Sequence, residues 1–235
     1  MNLQDKICVV TGASRGLGRH FARALTEQGA TVYGLARSAD DLEQVQNDLG
    51  PDAFRPLECD VRSEESVQRA FQSVTSGAGR LDVLINNAGL GHHDDVADAS
   101  VEDWDAMMET NARGVFLCAR AALPPMKAQH ESSGFGGHII NIASIAGLVA
   151  NDGLAGYNAS KFGVRGFSLA LMKEVRDDGI KVSCVYPGST DTHFGSGPAN
   201  PLQPEDVAET VLHLLESPDN YLVSEVVMRP LRPRG

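Results

Sequence analysis

Short runs of aliphatic and β-branched residues recur along the chain, and the polar stretches between them carry apolar positions at helical spacing. The first run is K-I-C-V-V-T (6–11) and the second A-T-V-Y-G-L (30–35), with a helical pattern over 16–28 between them. Strand, helix and strand within about 30 residues make a βαβ unit. The alternation continues with a helix at 39–49, a strand at 54–59, a helix at 63–75 and a strand at 81–85. Two helices are predicted at 101–110 and 114–129, the second broken or kinked late by Pro124 and Pro125. After an exposed loop, E-S-S-G-F-G-G (131–137), come a strand at 138–143, a helix at 155–177 and a strand at 181–186. A helix opens at Pro204, with Glu205 and Asp206 in its first turn, and a last strand lies near 224–228. Seven strands joined by crossover helices predict an α/β fold: a three-layer, doubly wound parallel sheet with helices on both faces, built as one domain over 1–235.

Charge narrows the range of partners. A formal net charge of −11 with no basic stripe argues against a nucleic-acid ligand. No apolar run approaches the length of a membrane span, and no basic, cleavable leader precedes the first strand, so no membrane association is expected. Cys8, Cys59, Cys118 and Cys184 have neither C-x-x-C nor metal spacing, and read as buried reduced thiols in a cytoplasmic protein. His92 and His93 stand beside Asp94 and Asp95 without a third ligand cluster, so no metal is assigned.

The candidate chemistry begins at T-G-A-S-R-G-L-G (11–18), where the first strand turns into the first helix. Gly12, Gly16 and Gly18 permit a sharp turn, close approach of a pyrophosphate and tight helix packing. Ser14, Arg15 and Leu17 complete this cofactor-binding set at a helix N-terminus with free N–H groups. The competing reading is a glycine-rich turn with no ligand. At the end of the second strand the chain has Leu35-Ala36-Arg37-Ser38, where a carboxylate would accept the ribose 2′-hydroxyl. Without that acid, Arg37 and Arg15 can converge on a 2′-phosphate, which predicts NADP(H) over NAD(H); Arg37 as a solvated loop residue is the alternative. Asp60, before Val61, is either an acceptor for the adenine amino group or a turn former.

Further on, Tyr157 and Lys161 are four residues apart on a predicted helix and so share a face. An ammonium beside a phenol lowers the phenol's pKa toward the range of an acid catalyst. Ser144, leaving a strand end, offers a hydroxyl to the same crevice. A solvated helix face with a snorkelling lysine is the bland alternative.

Taken together, these residues resemble the short-chain dehydrogenase/reductase family, compact single-domain branch, over nearly the whole length. T-G-x-x-x-G-x-G (11–18), N-N-A-G (86–89), N-x-x-G (111–114), Ser144, Y-x-x-x-K (157–161) and P-G (187–188) follow in order. The resemblance implies a Rossmann-type fold and hydride transfer between a nicotinamide and a carbonyl or alcohol. It makes Tyr157 the acid/base, and Lys161 the residue that lowers the tyrosine pKa and holds the nicotinamide ribose. Ser144 steadies the substrate oxygen, and Asn111 holds a relay water. It also places Asn87, Ala88 and Gly89 near the adenosine, as support for the sheet or as pure turn structure, and Pro187, Gly188, Thr190 and Thr192 along the nicotinamide side. Thr190 stands where the family usually has Val or Ile. The C-terminal S-E-V-V-M-R-P-L-R-P-R-G lacks the family's glycine-rich ending, so a homodimer stands beside the homotetramer as the expected assembly.

A short Gly/Pro-rich segment, 193–203, is the expected substrate lid. Leu90, Ile145, Leu148, Val149, Leu154 and Phe194 are the expected apolar wall, and Trp104, Met107 and Met108 core or subunit contacts. The expected activity is NADPH-dependent reduction of a ketone, aldehyde or 3-oxoacyl group. The alternatives are alcohol oxidation and a catalytically silent dinucleotide sensor. A cofactor-free lyase is disfavoured by the open glycine loop.

Overall fold

A computed structural model describes residues 1–191 and 201–231. Seven strands, β1 (Ile7–Thr11), β2 (Thr31–Ala36), β3 (Phe54–Glu58), β4 (Val83–Asn86), β5 (Gly137–Ile142), β6 (Ile180–Pro187) and β7 (Glu225–Met228), form one sheet in the order β3-β2-β1-β4-β5-β6-β7. Every neighbouring pair is parallel. Because both faces are covered, the central strands β1, β2 and β4 read as nearly continuous apolar runs, shared between two layers. In β1, Cys8 and Val10 pack with Phe21, Leu25 and Val211, whereas Val9 packs on the opposite face with Phe71, Val74 and Met126. The first layer holds α1 (Gly16–Glu27), α2 (Ala39–Leu49) and α7 (Pro204–Glu216). The second holds α3 (Glu64–Ala78), α5 (Gly114–Ser133) and α6 (Ala155–Val175).

Local sequence explains the helix starts. Ser38 and Ser63 accept hydrogen bonds from the backbone N–H groups of Asp41 and Ser66, and acids follow in the first turn. Pro204 opens α7 behind a Gln203–Asp206 capping box. Strand order reverses between β1 and β4, so the connections after these strands diverge to opposite sides and leave a crevice at their carboxyl ends.

Three local expectations are corrected. Residues 101–133 are one continuous helical stretch: α4 (Val101–Met107), a π-helical turn (Met108–Arg113) and α5. The prolines do not interrupt α5, which runs through both to Ser133; Ala122 and Met126 are fully buried beside them, and this packing offsets the two missing N–H donors. The expected loop at 131–137 shrinks to three residues, because α5 ends at a left-handed Gly134 and β5 starts at Gly137. The four cysteines are buried free thiols, as expected. No helix among the described residues is long and apolar enough to cross a membrane, and no cluster of three potential metal ligands occurs among them.

Candidate active site

Every motif singled out in the sequence and lying within the described residues sits at the carboxyl edge of the sheet. After β1 the chain turns through Gly12, with φ +66°, into α1, whose first turn carries no acid. Its N-terminal dipole is therefore left uncompensated, unlike those of α2 and α3. A Cβ on Gly18 would lie 2.1 Å from the Gly12 carbonyl oxygen and 2.7 Å from Asn87 Nδ2, so only glycine allows the helix to meet the turn. Gly18→Ala is expected to abolish dinucleotide binding in calorimetry and to lower the thermal midpoint, since the clash is with backbone.

Thr11, part of the glycine motif but given no role by it, fastens this loop to the next strand. Its hydroxyl accepts from Asn87 N (2.9 Å) and Ala88 N (3.0 Å), and Asn87 Nδ2 donates to the carbonyls of Thr11 (3.0 Å) and Gly12 (3.3 Å). Asn87 is thus committed to structure, holding the N-N-A-G turn against the glycine loop. Val61 packs where a Cβ on Gly114 would stand, 2.9 Å from its Cγ2, which explains the glycine of N-x-x-G.

Asn111 lies in the π-helical turn and is fully buried. Its amide oxygen accepts from Leu90 N (2.8 Å). Its nitrogen donates to Leu90 O (2.8 Å) and to Ser160 Oγ (3.0 Å), which itself donates to Tyr157 O (2.8 Å). The turn after β4 is thereby locked to α6. π turns inside helices often mark functional sites. A Cβ on Gly89 would come within 3.2 Å of Asn111 Oδ1 and 3.5 Å of Lys161 Nζ, so three of the marked residues converge.

Ser144 follows β5 and hydrogen-bonds the hydroxyl of Tyr157. It is steadied by the Ala146 N–H, which donates to Ser144 Oγ at 3.1 Å. A second residue missed in the sequence, Asn158, holds the following segment. Its Nδ2 donates to Ala146 O (2.6 Å) and Val149 O (3.0 Å), and its Oδ1 accepts from Asn151 N (3.2 Å). Lys161 is buried and donates to the Ile142 carbonyl at 3.1 Å, with its ammonium 5.7 Å from the centre of the Tyr157 ring.

The electrostatics reverse one expectation. Burial raises the Tyr157 pKa above that of an ordinary phenol, the Ser144 hydrogen bond opposing it only in part. Burial also depresses Lys161, to about 8, and its ammonium donates to the Ile142 carbonyl. A phenol so buried keeps its proton through neutral pH.

At the far end of the crevice, a polar pocket of about 470 Å³ is walled by Arg37, Glu58, Asp60, Ser66 and Arg69. Arg37, the residue after β2, lines this pocket, whereas Arg15, exposed at the α1 N-cap, is not part of its wall. Asp60 is held by Arg62, whose Nε and Nη2 donate to its carboxylate at 2.7–3.1 Å, and its pKa is lowered by that guanidinium. Pro187 ends β6, Gly188 N donates to Met228 O (2.8 Å), and Thr190 Oγ1 donates to Gly188 O (3.0 Å). Thr192, Phe194 and most of the 193–203 segment lie outside the described residues.

A smaller cavity of about 200 Å³ opens between α4 and the start of α6, lined by Trp104, Met107 and Gly156 among others. It shares none of Ser144, Tyr157 or Lys161. Met107 is buried as expected, while Trp104 is partly exposed.

Comparison with known proteins agrees with this geometry. Residues 6–199 match the family model described as short chain dehydrogenase. The chain is 37% identical over 234 residues to an uncharacterized oxidoreductase of Staphylococcus aureus (strain MRSA252), covering 97% of this chain and 99% of that one. It superposes on a metagenomic short-chain oxidoreductase in complex with NADP with a TM-score of 0.86 at 33% identity, covering 99% and 100% of the two chains. It superposes also on a 3-ketoacyl-(acyl-carrier-protein) reductase from Brucella melitensis complexed with NADH, with a TM-score of 0.89 at 30% identity over 96% of each. The chain belongs to the short-chain dehydrogenase/reductase family. It is an NAD(P)-dependent oxidoreductase with the Rossmann-type sheet of that family.

Proposed function

We propose that this oxidoreductase reduces the carbonyl of a ketone, an aldehyde or a 3-oxoacyl group to an alcohol, with NADP(H) preferred over NAD(H). The observation that carries this reading is the hydrogen-bonded Ser144–Tyr157 hydroxyl pair beside buried Lys161, in which the phenol is held protonated. A protonated, buried phenol is a proton donor, the role a carbonyl oxygen requires as it gains charge.

The residues fit the dinucleotide. Gly12, Gly16 and Gly18 with Ser14, Arg15 and Leu17 form a cradle that a side chain at 18 would fill, at a helix end suited to a pyrophosphate. Asp60, Val61 and the Asn87–Gly89 turn flank the adenosine, and Arg37 faces the 2′ position. Lys161, Tyr157 and the Pro187, Gly188, Thr190 and Thr192 stretch hold the nicotinamide end. When bound, the cofactor supplies the hydride. Ser144 donates a hydrogen bond to the substrate oxygen, and Tyr157 transfers its proton to that oxygen. Lys161 stabilises the phenolate left behind. Asn111 positions α6 through Ser160; with its amide engaged at Leu90 and Ser160, contact with a relay water is left to its backbone.

The natural setting we propose is the cytoplasm, where four buried free thiols stay reduced, and the assembly a homodimer or homotetramer. A panel of ketones, aldehydes and oxoacyl thioesters, followed by NADPH absorbance, tests the reading. At least one class is expected to be turned over, and none of these substrates oxidising NADPH would refute it. Arg37→Ala is expected to raise the KM for NADPH several-fold while leaving that for NADH nearly unchanged; equal effects on both would remove Arg37 from the 2′ site.

A further inference from the structure

We infer that Glu58, at the end of β3, governs discrimination between a free and a phosphorylated ribose 2′ position, opposing Arg37 across one pocket; this rests on the dinucleotide reading above. The end of β2 has no acid, but β3 pairs with β2 so that Glu58 is the register partner of Ala36, the residue before Arg37. Registered residues on adjacent strands stand about 5 Å apart and project to the same face. The carboxylate absent from β2 is therefore supplied one strand over, in the wall that also contains Arg37, Ser66 and Arg69.

The other charges of this wall are already matched. Asp60 is held by Arg62, and Arg69 pairs with Glu65 one turn back on α3. Glu58 and Arg37 have no hydrogen bond or ion pair with any described side chain, and both are exposed to the pocket's solvent. A ribose diol donates hydrogen bonds, which a carboxylate accepts. A 2′-phosphate brings a second anion to the same place, and repulsion from Glu58 offsets part of what Arg37 contributes. The chain therefore accepts both dinucleotides, with a preference for the phosphorylated one that Glu58 keeps small.

Calorimetric titration with adenosine 5′-monophosphate and adenosine 2′,5′-bisphosphate tests this without turnover. Glu58→Gln is near-isosteric at an exposed position and preserves the fold. It is expected to tighten the bisphosphate roughly tenfold and to weaken the monophosphate a few-fold, with the gain shrinking as salt is raised. Arg37→Ala is expected to move the ratio the other way. If the wild type binds both probes and Glu58→Gln leaves their ratio unchanged, Glu58 has no such role and the dinucleotide reading stands. If the wild type binds neither probe, both fail together.

Discussion

Replacing Tyr157 by Phe is expected to lower carbonyl reduction by at least about two orders of magnitude, the usual weight of a positioned proton donor, while dinucleotide affinity changes little. The substitution keeps the buried ring and deletes only the hydroxyl bonded to Ser144. Steady-state kinetics beside calorimetry separates the two effects, and retention of more than a few per cent of turnover would remove the tyrosine from the mechanism. Burial raises the phenol's pKa, so the proton-donating form persists through neutral pH and is lost only in alkaline solution. Reduction should accordingly stay level across the neutral range and decline above it. Alcohol oxidation, which needs the phenolate, should rise with pH. A reductive rate that climbs steadily into alkali would mean that another group donates the proton.

Replacing Lys161 by Met is expected to have two effects of opposite sign: turnover collapses and the fold becomes more stable. Lys161 is buried and its pKa falls from 10.5 to about 8 because desolvation penalises the ammonium. The folded state therefore binds this proton less tightly than the unfolded chain does. The resulting penalty is full below pH 8, shrinks as pH rises through the folded value, and is gone above the unfolded value of 10.5. Methionine fills a similar volume without a charge. After subtraction of the lost bond to Ile142, a gain on the order of 1–2 kcal/mol is expected at pH 7. Thermal melts of both proteins across pH should show the gap narrowing above pH 8. A variant less stable than the wild type at neutral pH would show that the ammonium is well solvated by its neighbours. A destabilising buried charge of this kind is what the proposed role of Lys161 would require.

Much of this was legible in the chain because the relevant signals are local. The βαβ alternation, the glycine spacing of 12, 16 and 18 and the four-residue step from Tyr157 to Lys161 depend only on neighbours in sequence. What was missed depends on register and burial. Glu58 became a pocket residue through pairing of β3 with β2, which no single strand announces. Ser160, Asn158 and Thr11 look like ordinary polar residues until their partners at Asn111, Ala146 and Asn87 are known. The break expected between 110 and 114 is a π turn, a difference of one hydrogen-bond register that composition does not encode. The net rise of the tyrosine pKa was not legible, because spacing gives the neighbour of Tyr157 but not how deeply both groups are buried.

Hydride delivery to a carbonyl carbon is tested most directly with NADPH carrying deuterium at its transferring carbon and any carbonyl compound that the wild-type protein turns over. Mass spectrometry of the alcohol should find the label on the carbinol carbon, in amounts that match the cofactor consumed, and Tyr157→Phe should yield almost none. An alcohol without the label, or cofactor oxidised with no alcohol formed, would contradict the account.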